Sequence, residues 1–174
     1  MVQLIVGDKG KGKTKYLLDK VNAEVKEADG NIVYLDKSSK HMHELDNKVR
    51  LINVSEYPVK NADQFLGFIC GVCSQDYDLQ TMYVDSFIKV AGLEGADITE
   101  TVLALDAIGK QFNVNLVVSA SIEEADLSDV LKVINTDDIC IDFKVSDENK
   151  VKTAIIIRPS DTNADYTHII MPMH

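Results

Sequence analysis

A chain of 174 residues, 45% hydrophobic and 26% charged, has enough material to bury a core, and a single domain over residues 1–174 is expected. Its 28 acidic residues outweigh 18 Lys and Arg, giving a net charge of −10; this argues against DNA or RNA as an obligatory partner, because nucleic-acid affinity rests on clustered cations. No apolar stretch nears the ~20 residues that cross a bilayer, and the chain opens into a strand-like run without a basic leader and cleavage site, so the expectation is a cytoplasmic protein, not inserted in a membrane, with three reduced cysteines.

In chain order, Val2–Val6 is a short run rich in β-branched residues, followed at once by Gly7-Asp8-Lys9-Gly10-Lys11-Gly12-Lys13-Thr14. Leu17, Leu18, Val21 and Val25 then share one helical face, closed by a turn at Asp29-Gly30. Strands are expected at Asn31–Leu35 and Val49–Val54. His41 and His43 fall in the polar stretch between them, two apart, and read as exposed. A helix from Ala62 to about Val72 carries Phe65, Leu66 and Ile69. Cys70 and Cys73 have the spacing of a zinc-ligand or redox pair, but no second pair exists and Cys140 is remote, which favours ordinary buried thiols.

Thr81–Val84 is an apolar strand ending in Asp85. Asp97-Ile98-Thr99-Glu100 has capping-box spacing ahead of a helix with Val102, Leu103, Leu105 and Ile108. After the strand Val114–Val118, the alternation of Ile139, Ile141, Phe143 and Val145, a turn at Ser146–Asn149 and the run Thr153–Ile157 predict a hairpin, with His168–Met171 as a final edge strand. Alternating strands and helices with a terminal hairpin give an α/β fold: a mostly parallel central sheet with a C-terminal antiparallel hairpin at the edge.

The segment after the first strand satisfies G-x-x-x-x-G-K-[ST] through Gly7, Gly12, Lys13 and Thr14, between a strand and a helix as a phosphate-binding P-loop requires. Glycines let the backbone turn tightly and bring N–H groups to phosphate oxygens, and the following helix adds its positive end. Lys13 is expected at the β- and γ-phosphates and the Thr14 hydroxyl on Mg²⁺. The expected phosphate-binding set is therefore Gly7, Asp8, Lys9, Gly10, Lys11, Gly12, Lys13, Thr14 and Lys15, with Lys9, Lys11 and Lys15 read as solvated charges that attract a polyphosphate. Asp85, at a strand end, is the expected partner carboxylate for Mg²⁺, largely through water; a helix N-cap is its alternative role. ATP and Mg²⁺ are the expected cofactors. Tyr16 and Tyr34 read either as residues near the base or as core-edge positions.

Beyond the P-loop, three segments resemble the RecA-like ATPases. Asn31–Asp36 is similar to their strand after the P-loop helix, Val84-Asp85-Ser86 to their Walker B strand, and Asp137–Arg158 to the late strand pair ending in a basic residue. The resemblance implies a three-layer RecA-like P-loop fold. It also implies a water-orienting glutamate two residues beyond the aspartate of the second strand, where Ser38 stands; related ATPases place one directly after the Walker B aspartate, where Ser86 stands. Asp36 is then the nearest substitute, expected to be catalytic together with Lys13 and Asp85, and Glu100 is a more distant one. Ser119, with Ser121, falls where such proteins sense the γ-phosphate, or caps a turn ahead of Glu124. Arg158 falls where ring-forming members carry a finger reaching a neighbour's nucleotide, or is a solvated arginine. A homo-oligomer or larger assembly is implied as partner.

ATP is preferred over GTP because no Asn/Thr-Lys-x-Asp motif follows Val114–Val118. Three activities follow: a weak or partner-stimulated ATPase; a small nucleoside or nucleotide kinase, disfavoured because Arg50 and Arg158 are the only arginines for a phosphate clamp; and a non-hydrolysing ATP-dependent switch.

Overall fold

The computed structural model describes residues 2–123, 126–128, 131, 140–145, 152–157 and 167–171. The expected turn at Ser146–Asn149, and Glu124, Arg158 and His174, lie outside the described residues.

Eight strands form one sheet. Five are parallel neighbours in the spatial order β3 (Val49–Asn53), β2 (Asn31–Asp36), β4 (Leu79–Val84), β5 (Asn115–Ala120) and β1 (Val2–Val6). Beside β1 runs β6 (Cys140–Val145), also parallel; β7 (Lys152–Ile157) and β8 (Thr167–Met171) then continue antiparallel to the edge. The expected C-terminal hairpin and edge strand are therefore present, and the sheet is mostly parallel as anticipated.

Successive residues of the parallel strands point to opposite faces, and both faces are apolar, as a sheet covered by helices on two sides requires. Val33, Leu35, Met82, Val84, Leu116 and Val118 join one core with α2 (Ala62–Gln75) and α4 (Thr99–Phe112). Ile5, Ile32, Tyr34, Tyr83 and Val117 join the other with α1 (Lys13–Glu24). In α2 the buried residues Phe65, Ile69 and Cys73 recur every four positions, one helical face, and Phe65 meets Phe87 at 5.8 Å between ring centroids. The Asn61 side chain caps α2 by accepting from Gln64 N–H at 3.0 Å, while Gln64 Oε1 accepts from Lys60 N–H at 2.8 Å. Cys70 and Cys73 are free thiols; burial pushes Cys73 up to about 11, the behaviour of a packed thiol rather than a reactive one.

Two boundaries differ from expectation in ways that matter. The strand read as Val114–Val118 runs from Asn115 to Ala120, so Ser119 is inside the sheet, opposite Ile5, instead of in a turn beyond it. Before α4, Asp97 Oδ1 accepts from the Thr99 N–H at 2.9 Å and from the Thr99 hydroxyl at 2.6 Å, so the carboxylate braces the first turn through Thr99.

One polar contact ties α1 to the sheet. Glu24 accepts from the Thr81 hydroxyl at 2.5 Å and from the Tyr83 hydroxyl, both on β4. Removing it strands two hydroxyls in a poorly solvated place, so Glu24→Ala is expected to cost about 2 kcal/mol. The measurement is urea unfolding: the midpoint falls while the slope stays constant. An unmoved midpoint means that the contact contributes nothing.

Candidate functional site

The carboxyl ends of the parallel strands open into a cleft of about 570 Å³. Residues after β1 (Lys9, Gly10, Gly12, Lys13, Thr14), after β4 (Asp85, Ser86, Ile88, Lys89) and at or after the end of β5 (Ser119, Ser121) line it, and Lys37 joins from β2. Open α/β sheets bind ligands at this edge, outside the strand ends.

Glycine conformation shapes the turn after β1. Gly7, Gly10 and Gly12 have φ of 146°, 84° and 89°, a region costly for residues with a β-carbon, and a β-carbon on Gly10 would meet nothing within 4 Å, so backbone conformation and not crowding selects glycine there. Gly7 N–H donates to Ile122 O at 2.8 Å, fastening the turn to the chain beyond β5. Gly12 leads into α1, whose first turn has no side-chain cap and no acidic residue. That helix end keeps its unpaired N–H groups and its partial positive charge toward an anion.

Lys13 is buried although charged. Its ammonium donates to Gly7 O at 2.6 Å and to Asp8 O at 2.7 Å, which uses two of three N–H donors. Burial lowers its pKa, and the charges of Asp85 and Asp8 oppose that shift.

Asp85 is held from three sides. Oδ1 accepts from the Ser119 hydroxyl at 2.6 Å and Ser86 N–H at 2.8 Å, and Oδ2 accepts from the Tyr34 hydroxyl at 3.2 Å. Burial first, then the Asp85 charge, raises the pKa of Tyr34, which keeps that hydroxyl a donor. Tyr34 therefore belongs to the core under the site rather than to its rim, and Tyr16 packs against the same cluster. The Asp85 side chain bonds no N–H of α3 (Phe87–Val90) itself, whose cap position is Ser86 with a left-handed φ of 56°.

The local charge contradicts the global one. Four lysines (Lys9, Lys13, Lys37 and Lys89) face two carboxylates (Asp85 and Glu94) across the cleft. The Lys37 side chain lies against that of Lys89: a hydrogen bond between them, which needs one of the two amines neutral, lowers the Lys37 pKa first, and desolvation and the Lys89 charge lower it further. Neither lysine stands out in the sequence, and neither does Glu94, on the loop after α3.

Of the expected site residues, Lys9, Gly10, Gly12, Lys13, Thr14, Asp85, Ser119 and Ser121 come together at the cleft, as does Ser86. Gly7 and Asp8 contribute through carbonyls beneath it. Lys11, Lys15 and Glu100 do not line it. Asp36 does not either: it ends β2 fully buried, with Oδ1 accepting from Lys37 N–H at 2.6 Å and its pKa raised by burial. His43 is exposed as expected, but His41 is not; its side chain keeps only 14% exposure and stands close to Asp36 and Asp85. A polar neighbourhood in sequence did not prevent the loop from folding His41 inward.

With this arrangement the chain has an α/β fold with a mostly parallel central sheet that resembles the RecA-like P-loop architecture. A solved structure with that fold is a KaiC-like protein from the hyperthermophilic archaeon Pyrococcus horikoshii, similar at a TM-score of 0.67 and 16% identity over 98% of this chain and 89% of its own. The sequence matches no protein-family model and no curated protein. Among the described residues, no helix is long and apolar enough to cross a membrane.

Proposed function

We propose that this chain binds a nucleoside triphosphate, ATP in preference, together with Mg²⁺, and turns it over slowly or on contact with a partner. The observation that carries this reading is the convergence of Lys13 and Thr14, at the start of α1, and Asp85, just after β4, on one cleft. The residues fit the group: the positive-φ glycines and the uncapped start of α1 suit a polyphosphate. Lys13 has an N–H beyond those given to Gly7 and Asp8, and the crowding of Lys37 with Lys89 is relieved by anionic charge.

Mg²⁺, when bound with the nucleotide, neutralises phosphate charge as it develops. On the protein side, the Thr14 hydroxyl and Asp85 would hold the cation, and Ser119 and Tyr34 keep Asp85 oriented. Glu94 is the remaining carboxylate in the cleft and orients the attacking water. It is exposed on a loop, so it is poorly pre-organised, in keeping with slow turnover. Asp36 lies outside the cleft lining, close to Asp85, so it does not reach the attacking water. Arg158 as a finger reaching a second copy in a homo-oligomer belongs to the same reading; mass measurement with ATP and Mg²⁺ that finds only monomer removes it. The free thiols of Cys70 and Cys73 suit a cytoplasmic setting.

Nucleotide turnover, measured alone and against a panel of nucleosides, tests the activity. Free phosphate is the expected product, whereas a phosphorylated nucleoside identifies a kinase and tight binding without turnover identifies a switch. The switch draws on Ser38 and Ser86 standing where RecA-like and related ATPases carry glutamate. The kinase lacks a clamp: among the described residues Arg50 is the one arginine, and it sits exposed on β3. Glu94→Gln is expected to lower kcat about tenfold with nucleotide affinity preserved. An unchanged kcat removes Glu94 from the mechanism.

A further inference from the structure

Where β2 ends, three buried polar atoms have no hydrogen-bond partner among the described residues: Asp36 Oδ2, Ser38 Oγ and His41 Nε2. Buried polar atoms are nearly always paired, and each orphan costs about 1–3 kcal/mol, so three in one short segment require a cause. One donor atom from each of Asp36, His41 and Asp85 lies within 4.8 Å of the other two, and the two aspartates are 1% and 3% exposed. Two carboxylates this close and this buried destabilise each other unless a cation stands between them.

The histidine is prepared for that cation. Glu44 Oε1 lies 2.7 Å from His41 Nδ1, which in a neutral ring keeps the proton on Nδ1 and the lone pair on the buried Nε2. A carboxylate behind a histidine in this way orients metal-bound imidazoles and raises their basicity. Asp85 is likewise fixed from behind by Ser119, Ser86 and Tyr34.

We propose that Asp36, His41 and Asp85 form a binding site for a divalent transition-metal ion of the Mn²⁺, Co²⁺ or Zn²⁺ class, with Glu44 as the positioning residue for His41. One imidazole and two carboxylates suit these ions, whereas Mg²⁺ takes oxygen ligands and keeps its waters. Metal bonds of about 2.0–2.2 Å set donors roughly 3–3.5 Å apart, so donors now within 4.8 Å of one another need to close by at most about 1–2 Å. The site stands without the nucleotide reading, since its donors come from β2, the loop after it and β4. It shares Asp85 with the cleft, so an ion here sets the orientation of the carboxylate that the cleft presents.

The test uses the full chain, stripped with a chelator and free of nucleotide, titrated with Co²⁺ and followed by its visible ligand-field absorption. One equivalent is expected to bind with new bands, and a large excess of Mg²⁺ leaves them in place. His41→Ala weakens binding about a hundredfold and removes the bands, and Glu44→Gln weakens it about tenfold. His43→Ala, the exposed neighbour, leaves the titration unchanged, and circular dichroism confirms that each variant is folded. Bands that are absent in the native chain, that survive in His41→Ala, or that Mg²⁺ displaces at equal concentration overturn the proposal. None of these outcomes bears on ATP affinity, so the two readings fail separately.

Discussion

Lys13→Ala is expected to weaken nucleoside triphosphate binding about a hundredfold or more, roughly 3 kcal/mol. The magnitude follows from burial. An exposed ammonium facing a phosphate is screened by water and contributes little, but Lys13 is 7% exposed and has already lost most of its solvation to the fold. In the proposed complex, its remaining N–H would meet a phosphate oxygen with little further desolvation cost. The substitution also strands the carbonyls of Gly7 and Asp8 that the ammonium now satisfies, so stability is expected to fall by about 1–2 kcal/mol as well. Binding by calorimetry, at a temperature where urea unfolding shows the variant fully folded, separates the two losses. Lys9→Ala serves as the contrast: Lys9 is exposed at the same cleft, and its loss is expected to weaken binding no more than about threefold. Affinity unchanged in Lys13→Ala would falsify the placement of the triphosphate in this cleft.

The second large effect concerns the loop between α3 and α4, which brings Glu94 and Gly95 to the cleft. Gly92 has φ +65°, and a β-carbon there would come 2.5 Å from Lys60 O and 2.9 Å from Lys60 C. Lys60 cannot easily retreat, because its N–H is bonded to Gln64 in the cap of α2. Gly92→Ala therefore combines a left-handed backbone, about 1–2 kcal/mol, with backbone displacement of about 1–3 kcal/mol, for a destabilisation of roughly 2–5 kcal/mol. Gly95 supplies the control. Its φ is +74°, yet a β-carbon would meet nothing within 4 Å, so Gly95→Ala is expected to lose only the backbone part, about 1–2 kcal/mol. Denaturant midpoints of the two variants measure the difference; equal losses mean that the Lys60 contact does not constrain the loop.

What the residues announce in advance are local features. Val2–Val6 followed by GDKGKGKT reads as strand, glycine turn and helix because turn chemistry and hydrophobic period act over a few residues, and the turn has that form. The apolar run into Asp85 and the alternation of Ile141, Phe143 and Val145 are legible for the same reason. Ends of elements are less so. The β-branched run ends at Val118 and leaves Ser119 at the strand's close, whereas pairing with β1 extends β5 through it and its hydroxyl bonds Asp85. Polar neighbours predict an exposed His41, but the fold of its loop, braced by Glu44, turns it toward two buried carboxylates.

The eight strands, the three long helices, the glycine turn with Lys13 and Thr14, and the strand that delivers Asp85 are legible along the chain, since each depends on contacts between near neighbours; α3 is not. The strand order comes from the folded arrangement. It placed β5 between β1 and β4, so that Ser119 braces Asp85, and it set Lys37 against Lys89, brought Glu94 to the cleft and assembled Asp36, His41 and Asp85. The physical reason is that these groups meet through packing between distant segments, and no spacing along the chain encodes such a distance.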